Sequence, residues 1–278
     1  MLQSCPNCSS SEINFLTRTS KKIFSGDWCV YVCRSCMVGF TSPKPKTDID
    51  HYVEASRAIE TDQEPVSRKF SLNFVKSFAE NLPKDSSTTT KRILDVGCGY
   101  GYFLRDAKDF GFQVMGIEPS TFMASHAKSL GIEIFNGSVF EFKAIKDFDI
   151  ISLLSVAEHI DDIKKLLIFL KENGSNDTIF VFGQAVYDGL VPKVLKGFWY
   201  GWSPQEHYWH FTNKSFQKLL SDTGYVVTQT KRTRLSHCFY FGGRWKSLLF
   251  NNFVAILDVI AGVFGWGDHV LFYAERKQ

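Results

Sequence analysis

The stretch Ile93-Leu94-Asp95-Val96-Gly97-Cys98-Gly99-Tyr100-Gly101-Tyr102-Phe103-Leu104 decides the fold of this chain. Its first residues form an apolar run that predicts a buried strand, and its last residues begin a helical pattern. Three glycines at alternate positions separate the two, and without Cβ atoms they permit a sharp turn and a close approach of backbone amides to a ligand. The stretch therefore predicts a strand, a tight turn and a helix N-terminus that hold a nucleotide-like cofactor.

The spacing of these glycines separates the turn from the usual dinucleotide-binding turn. That turn has the pattern Gly-x-Gly-x-x-Gly, whereas this chain has Asp-x-Gly-x-Gly-x-Gly from Asp95 to Gly101. The spacing resembles the first motif of class I S-adenosylmethionine-dependent methyltransferases. The resemblance implies an α/β fold with a doubly wound, Rossmann-like sheet of seven strands, and S-adenosylmethionine as the cofactor.

A second predicted strand, Phe112–Glu118, ends in an acid 23 residues after Asp95. A carboxylate at this place accepts hydrogen bonds from both hydroxyls of a ribose, so Glu118 is the predicted ribose ligand. Two further strands are predicted at Ile132–Phe135 and at Phe148–Leu154.

The family resemblance also assigns the remaining cofactor contacts. It gives the methionine end of the cofactor to the loop from Gly97 to Gly101, with Asp95 ordering that loop and its contact with the ammonium group. It places the adenine near Ser138 and Val139, although family members commonly have an aspartate where this chain has Ser138. The complete predicted cofactor-binding set is Asp95, Gly97, Cys98, Gly99, Gly101, Glu118, Ser138, Val139 and Ser155.

Four of the seven cysteines form two matched pairs, Cys5-Pro6-Asn7-Cys8 and Cys33-Arg34-Ser35-Cys36. Each knuckle aims two thiolates at one metal ion, and the 24 residues between the knuckles suffice for a hairpin that brings the pairs together. The predicted ligands of a structural Zn²⁺ ion are therefore Cys5, Cys8, Cys33 and Cys36. A redox pair or coincidence is the alternative, and Cys29 could compete as a ligand. The other cysteines, predicted to lie in the core or in turns, are Cys29, Cys98 and Cys238.

Composition along the chain predicts three parts. Residues 1–45 form a zinc-ribbon-like module, 46–90 a helical linker region, and 91–278 the cofactor-binding domain. Two segments have the composition of linkers, namely Gly39–Pro45 and Pro83–Thr90. Helices are predicted near Val66–Asn81, Thr121–Leu130 and Asp161–Glu172, a fifth strand at Thr178–Phe182 and, by resemblance, a final antiparallel strand at His269–Glu275.

Size and charge narrow the classes of partner. At 278 residues the chain can bury a substantial core. Its net charge of +3 is too small to indicate nucleic-acid binding without a concentrated basic patch. We therefore expect no DNA partner, and RNA is only an alternative. The N-terminus has no apolar core of the signal-peptide type, so we expect the thiols to lie in a reducing cytoplasm.

The methyl acceptor must be selected by sequence beyond the fourth predicted strand. The aromatic stretch Phe198–Thr212 follows the fifth strand, and loops at the carboxyl ends of parallel strands bind ligands. With an ordinary pKa near 6.5, His207 or His210 could take a proton from an acceptor hydroxyl. Packing and hydrogen bonding within the loop is the other interpretation. Glu158 and His159, after the fourth strand, are further candidates for base or substrate contact.

A divalent metal ion is a further alternative for this region. Some related quinone and RNA ribose O-methyltransferases combine a Glu-x-x-Glu-His turn with a later histidine to hold such a cation. This chain has Ser155 in place of the first glutamate, followed by Glu158 and His159. The loss of one hard oxygen ligand weakens such a site.

The stretch Leu248–Trp266 is almost uncharged and predicts an apolar helical insertion near 247–266. A narrow stripe of small or polar residues recurs at helical spacing, namely Asn251, Ala255, Asp258 and Gly262. The rest of the helix would be a broad apolar face. It could pack on the sheet or at a dimer contact, or it could cap an apolar acceptor or touch a membrane interface.

These features together predict a cytoplasmic S-adenosylmethionine-dependent methyltransferase with an N-terminal zinc ribbon. The acceptor would be a small molecule, or a sugar- or lipid-linked intermediate, methylated on oxygen or carbon. One alternative is an RNA methyltransferase that binds its substrate with the ribbon. Another is an interaction module that binds the cofactor without catalysis. Peripheral membrane contact stays open, and the sequence predicts no oligomeric state.

Overall fold

The computed structural model describes residues 4–21, 24–46, 74–82, 91–233 and 244–277, without the side chains of 244–248. The strands are β1 (Ile13–Arg18), β2 (Cys29–Cys33), β3 (Gly39–Ser42), β4 (Arg92–Val96), β5 (Gln113–Glu118), β6 (Glu133–Asn136), β7 (Ile150–Leu154), β8 (Ile179–Ala185), β9 (Trp209–His210), β10 (Tyr225–Thr233) and β11 (His269–Arg276). The longer helices are α1 (Tyr102–Asp109), α2 (Thr121–Ser129), α3 (Ile163–Asn173), α4 (Leu190–Leu195), α5 (Asn213–Asp222) and α6 (Arg244–Phe264).

Seven strands form the central sheet in the order β10-β11-β8-β7-β4-β5-β6. The strands from β8 to β6 pair in parallel, whereas β11 is antiparallel to both of its neighbours. The predicted seven-stranded α/β sheet with an antiparallel last strand is therefore confirmed. Because β4, β5, β7 and β8 run in one direction, their carboxyl ends meet at one edge of the sheet, where such folds bind ligands.

The buried positions of strands and helices explain the local sequence. In β4 every residue after Arg92 is buried, so its sequence is a continuous apolar run broken only by Asp95. Helix α3 starts two residues later than predicted because Asp162 is its N-cap and accepts from the amide of Lys165 at 3.0 Å. The buried residues of this helix recur at helical spacing and are Ile163, Leu166, Leu167 and Leu170.

The N-terminal module forms a second, antiparallel sheet in the order β1-β2-β3-β9. The prediction of a linker from Gly39 to Pro45 is wrong in its first half, because Gly39–Ser42 is strand β3 and pairs with β2. The fourth strand, β9, comes from the aromatic stretch of the main domain, where Trp209 pairs with Phe40. The ribbon is thus completed by residues far along the chain.

Several sequence expectations lie partly outside the described residues. Of the predicted helix Val66–Asn81, residues 74–80 are helical, whereas 66–73 fall in an undescribed range. The segment 83–90 and Cys238 are also outside the described residues.

The predicted apolar insertion is helix α6. Its buried side chains Val254 and Ala261 face inwards, and Val254 packs in a cluster with Val191, Leu195 and Trp199. Among the described helices, none combines the length and the apolar character needed to span a lipid bilayer.

Candidate active site

The glycine turn lies at the carboxyl end of β4. Gly97, Gly99 and Gly101 have φ angles of 75°, 54° and 79°, in the left-handed region that favours glycine. A Cβ on Gly97 would lie 2.7 Å from Cγ2 of Val156, and one on Gly101 would lie 2.7 Å from the Cβ of Ala127. A Cβ on Gly99 would meet no described atom within 4 Å. The turn is therefore tightly packed at its ends and open at its middle glycine, where a ligand could approach the backbone.

Glu118 stands beside this opening at the end of β5. Its Oε2 accepts from the amide of Gly99 at 2.9 Å, and its Oε1 accepts from the amide of Ser120 at 2.8 Å. The side chain is buried, and burial raises the pKa of its carboxyl group despite these two hydrogen bonds. Each carboxylate oxygen has a further lone pair. Glu118 is therefore fixed in place and keeps lone pairs that could accept ribose hydroxyls, and its role as the ribose ligand stays a prediction.

Asp95 is the second buried acid of the site. The Oγ of Ser152 donates to its Oδ1 at 2.7 Å, and the residue is 3% exposed. Burial raises the pKa of Asp95 to about 7, and the negative charge of Glu118 adds to that rise. Two buried acids in electrostatic contact favour a cationic ligand. S-Adenosylmethionine carries a sulfonium and an ammonium group, so these residues fit the predicted cofactor.

For the predicted cofactor contacts Cys98 and Ser155, the structure gives less support. The thiol of Cys98 belongs to an apolar cluster with Leu104 and Ile134, and burial raises its pKa. This residue can therefore reach a cofactor only through its main chain. Ser155, after β7, is exposed and has a φ of 54°, and its amide donates to the carbonyl of Gly183 at 2.8 Å. Its role at the cofactor stays a prediction.

Ser138 and Val139 follow β6 at the same edge of the sheet. The Ser138 hydroxyl accepts from the amide of Phe140 at 3.4 Å, and the Ser138 amide donates to Oε2 of Glu141 at 3.2 Å. Val139 is buried. The hydroxyl caps the following turn and keeps its own proton to donate, so the adenine contact proposed for this place stays a prediction.

Three of the four predicted catalytic residues come together, two from the turn after β7 and one from the aromatic stretch. One ligand atom from each of Glu158, His159 and His207 lies within 4.8 Å of the others. The two imidazole rings meet edge to face, with centroids 4.7 Å apart. Because Val156 packs against Gly97, this group adjoins the glycine turn.

Main-chain hydrogen bonds tie the aromatic stretch to the turn after β7. The amide of Tyr208 donates to the carbonyl of Glu158 at 2.9 Å, and Nε1 of Trp209 donates to the carbonyl of Ile160 at 2.8 Å. These bonds bring together two segments that lie about fifty residues apart in the chain. They explain why Glu158 and His207 meet.

The hydrogen bonds of the two histidines define their tautomers. Nδ1 of His159 lies 3.2 Å from the carbonyl oxygen of Glu206, and Nδ1 of His207 lies 3.0 Å from that of Gly201. A carbonyl oxygen only accepts, so each Nδ1 carries the proton and each Nε2 keeps its lone pair. Metal-binding histidines in proteins use this arrangement. Glu158, His159 and His207 therefore form a candidate ligand set for a divalent cation, although Ser155 is not part of it.

Burial changes the acid-base properties of this group. It lowers the pKa of His159 to about 4 and that of His207 well below its ordinary value, and the neighbouring histidines lower the pKa of His207 further. It raises the pKa of Glu158 to about 7. The ordinary pKa assumed for His207 therefore does not hold. At neutral pH the histidines are neutral, and Glu158 is the group that can retain a proton.

His210 lies apart from this group and contacts the ribbon. The Thr41 hydroxyl donates to the carbonyl of His207 at 2.8 Å and lies 2.7 Å from Nε2 of His210. Because that hydroxyl has one proton, it accepts from His210. The ring also packs edge to face on Trp202, at a centroid distance of 5.1 Å. Burial lowers the pKa of His210 to about 3, so this histidine is a poor base in a packed position.

Sequence reasoning missed two residues that shape this group. Gln184 is buried near the end of β8, and its side chain lowers the pKa of the Glu158 carboxyl group against the larger opposite effect of burial. A polar residue after the apolar run Phe180-Val181-Phe182, at the ligand-binding edge of the sheet, is a signal that could have found it. Thr41 offers no such signal, since only the pairing of β3 with β9 brings it to His210.

The four cysteines of the ribbon form a compact cluster, as predicted. Sγ of Cys5 lies 3.7 Å from that of Cys36, Sγ of Cys8 lies 3.6 Å from that of Cys33, and all four lie within 4.8 Å of one another. A tetrahedral zinc ion with Zn–S bonds of about 2.3 Å requires sulfur atoms about 3.8 Å apart. The cluster fits that geometry. Cys29 is not among these four.

The fold and the paired acids beside an open glycine turn are those of a class I, S-adenosylmethionine-binding α/β domain. The chain belongs to the methyltransferase-domain family, whose model matches residues 67–230. The family prediction is thereby confirmed. The matched segment contains the glycine turn, both acids and the group Glu158, His159 and His207.

Similar proteins agree with this classification. A ubiquinone biosynthesis O-methyltransferase of Rhodopseudomonas palustris is 33% identical over 98 residues, which are 33% of this chain and 39% of that protein. The match thus spans about two-fifths of that relative's length. The plantazolicin methyltransferase BpumL in complex with S-adenosylhomocysteine has a TM-score of 0.54 at 18% identity, covering 83% of this chain and 91% of its own. A methyltransferase of Thermotoga maritima has a TM-score of 0.53 at 17% identity, and the match covers 76% of this chain and 89% of that protein. These structures share the fold.

Proposed function

We propose that this protein transfers a methyl group from S-adenosylmethionine to a hydroxyl oxygen of a small molecule. The observation that carries the proposal is the direct neighbourhood of two sites. The buried acids Asp95 and Glu118 flank the open turn at Gly99, and the group Glu158, His159 and His207 adjoins that turn through the contact of Val156 with Gly97. The curated relative is named as an O-methyltransferase of ubiquinone biosynthesis, which supports oxygen as the methylated atom.

The cofactor would be held by main-chain and carboxylate groups. Glu118 accepts the ribose hydroxyls, Asp95 offsets the positive charge of the methionine end, and the amide-lined turn at Gly99 admits the chain of the cofactor. When bound, S-adenosylmethionine supplies a methyl carbon already activated by its sulfonium. The protein therefore needs to hold the acceptor in line and remove one proton.

The residues after β7 and in the aromatic stretch would perform that second task. The acceptor hydroxyl would donate its one proton in a hydrogen bond to a carboxylate oxygen of Glu158, beside the rings of the neutral histidines His159 and His207, which confine it. As its oxygen forms the bond to the methyl carbon, the carbon–sulfur bond breaks and its electron pair stays on sulfur. The hydroxyl proton moves to Glu158, whose raised pKa of about 7 suits a base at neutral pH.

A methyl-transfer assay with labelled S-adenosylmethionine and a panel of phenols, catechols and alcohols tests this proposal. We expect Glu158→Gln to lower kcat about 100-fold or more, in the range typical of a lost general base, with unchanged affinity for S-adenosylhomocysteine. The exposed Glu172→Gln serves as the matched control. Undiminished turnover of Glu158→Gln and of His207→Gln would contradict the assigned roles. Runs with and without added Mg²⁺ determine whether the same three residues act as cation ligands.

We also propose that the ribbon binds one structural zinc ion through Cys5, Cys8, Cys33 and Cys36. The fit of their sulfur atoms to a tetrahedron supports it. Native mass spectrometry of the purified chain should count one zinc ion per chain. Cys33→Ser should remove it, whereas Cys29→Ser should retain it. A metal-free wild type with a folded ribbon would overturn this proposal.

A further inference from the structure

Helix α6 carries an apolar stripe that no described part of the chain covers. Its members lie three or four residues apart and so share one face, and they are 38–76% exposed: Leu249, Phe253, Ile256, Ile260 and Val263. Val259 and Phe264 beside them are also exposed. An uninterrupted row of large apolar side chains is unusual on the surface of a monomeric protein and marks a binding surface.

A different face of the same helix packs against the core of the protein. Phe250, Val254, Leu257 and Ala261 form a second row, one residue on from the first. The first three of them pack on the cluster that contains Trp199 and Trp202, and Ala261 is buried. The stripe is therefore not needed to attach the helix to the domain. It remains available for an external partner.

The charge around the helix indicates the chemistry of that partner. From residue 223 to the end of α6 at Phe264 the sequence has one acidic residue, Asp258, against five basic residues: Lys231, Arg232, Arg234, Arg244 and Lys246. The neighbouring helix α4 packs against α6 and adds the exposed Lys193. An apolar helix in a segment with this excess of basic residues complements an anionic lipid surface. A second copy of this segment would bring the same excess of positive charge.

A cavity adjoins the C-terminal end of the stripe. It has a volume of about 460 Å³ and is lined by Asp188, Leu190, Lys193, Arg232 and Trp266. The ring of Trp266 stacks on that of Phe264, with centroids 4.8 Å apart, and so connects the stripe with the cavity. Arg232 pairs with Asp188 at 3.0 Å, which leaves Lys193 as the excess charge of the lining. An aromatic, weakly cationic border of this kind suits the headgroup level of a bilayer.

We propose that α6 lies in the interface of an anionic lipid bilayer, with the stripe from Leu249 to Val263 inserted among the acyl chains and the flanking lysines and arginines at the headgroups. This inference does not depend on the methylated atom or on the acceptor. It places the protein peripherally on the bilayer, with the helix parallel to the surface.

Vesicle co-sedimentation of the full chain tests this proposal. We expect binding to vesicles that contain phosphatidylglycerol to be at least tenfold tighter than binding to pure phosphatidylcholine vesicles, and to weaken as salt rises. Ile256→Asp combined with Val263→Asp should reduce the binding at least tenfold. Ile260→Asp alone should also weaken the binding, whereas its matched control Ile168→Asp on α3 should not, because Ile168 and Ile260 are equally exposed, at 38%. Circular dichroism verifies that each variant is folded.

Two results of the co-sedimentation experiment would overturn this proposal. Absence of binding to both vesicle types, or binding that the double variant leaves unchanged, would overturn it. Light scattering of the protein without vesicles measures whether the stripe instead holds two copies of the chain together. A stable dimer that Ile256→Asp/Val263→Asp converts to a monomer would assign the stripe to a second copy and would also overturn the lipid proposal.

Discussion

The two sides of the candidate active site are built in different ways. The cofactor side takes its residues from one continuous stretch, from Asp95 to Glu118, and holds them with main-chain geometry. The acceptor side is formed by Glu158 and His207, and Thr41 of the ribbon donates a hydrogen bond to the carbonyl of His207. Only the tertiary fold brings these three residues together. The cofactor side therefore follows from local sequence, whereas the acceptor side depends on long-range contacts and on the ribbon.

Loss of the ribbon should have the largest effect on the structure, and it should loosen the acceptor side while leaving the cofactor side intact. Cys33→Ser removes a ligand of the proposed zinc ion, and a structural zinc ion supplies much of the folding energy of such a small module. We expect the amides of 205–210 to lose at least about tenfold of their protection from hydrogen exchange, while those of 93–118 keep theirs. Equal loss at both sides would contradict this division. Cys29→Ser should change neither.

Disruption of the glycine turn should weaken cofactor binding. Gly97→Ala places a Cβ 2.7 Å from Val156, at a φ of 75°. Gly131→Ala has the same φ of 75° but meets only Nζ of Lys108 at 3.8 Å, so it controls for the backbone strain of about 1–2 kcal/mol. Calorimetry should show S-adenosylhomocysteine affinity at least tenfold weaker in Gly97→Ala and unchanged in Gly131→Ala. Similar losses in both would mean that strain, and not the packing of the turn, sets the affinity.

The hydroxyl of Thr41 in the ribbon should hold the segment that carries His207 in place. Thr41→Val removes the hydrogen bond to the carbonyl of His207 and the one from His210. We expect a loss of about 2–3 kcal/mol in the free energy of unfolding, for two buried hydrogen bonds, together with a lower kcat and unchanged cofactor affinity. Chemical denaturation and the methyl-transfer assay check these values. Thr17→Val, in β1 of the same ribbon, should leave kcat unchanged.

Two buried groups, Asp95 on the cofactor side and His210 beside the acceptor side, should respond to pH with opposite signs. The raised pKa of Asp95, about 7, stabilises the fold at low pH, and this contribution is lost as the pH rises towards 7. The lowered pKa of His210, about 3, gives a contribution that is present at pH 7 and is lost as the pH falls below the ordinary value of 6.5. Each contribution changes by about 2 kcal/mol between pH 7 and pH 5.

Two variants separate these contributions. Relative to the wild type, Asp95→Asn should lose about 2 kcal/mol of stability on going from pH 7 to pH 5, and His210→Gln should gain about as much. Unfolding by denaturant at the two pH values measures both differences. Parallel slopes for both variants and the wild type would contradict the assigned protonation states.

The same division explains how much the sequence could predict. The strand, turn and acid of the cofactor side have local signals, and the structure places Asp95, Gly99 and Glu118 as expected. The linker prediction is wrong for β3, because Gly39–Ser42 becomes a strand only by pairing with β2 and β9. The role of His210 was misjudged because its burial and its bond to Thr41 arise from that same pairing.

The central claim is that the turn after β4 and the acid after β5 hold S-adenosylmethionine. Titration calorimetry of S-adenosylmethionine and S-adenosylhomocysteine against the folded wild type, Glu118→Ala and the exposed control Glu133→Ala tests it most directly. The account predicts micromolar binding that Glu118→Ala abolishes and Glu133→Ala retains. A folded wild type that binds neither compound, or full affinity in Glu118→Ala, would contradict it.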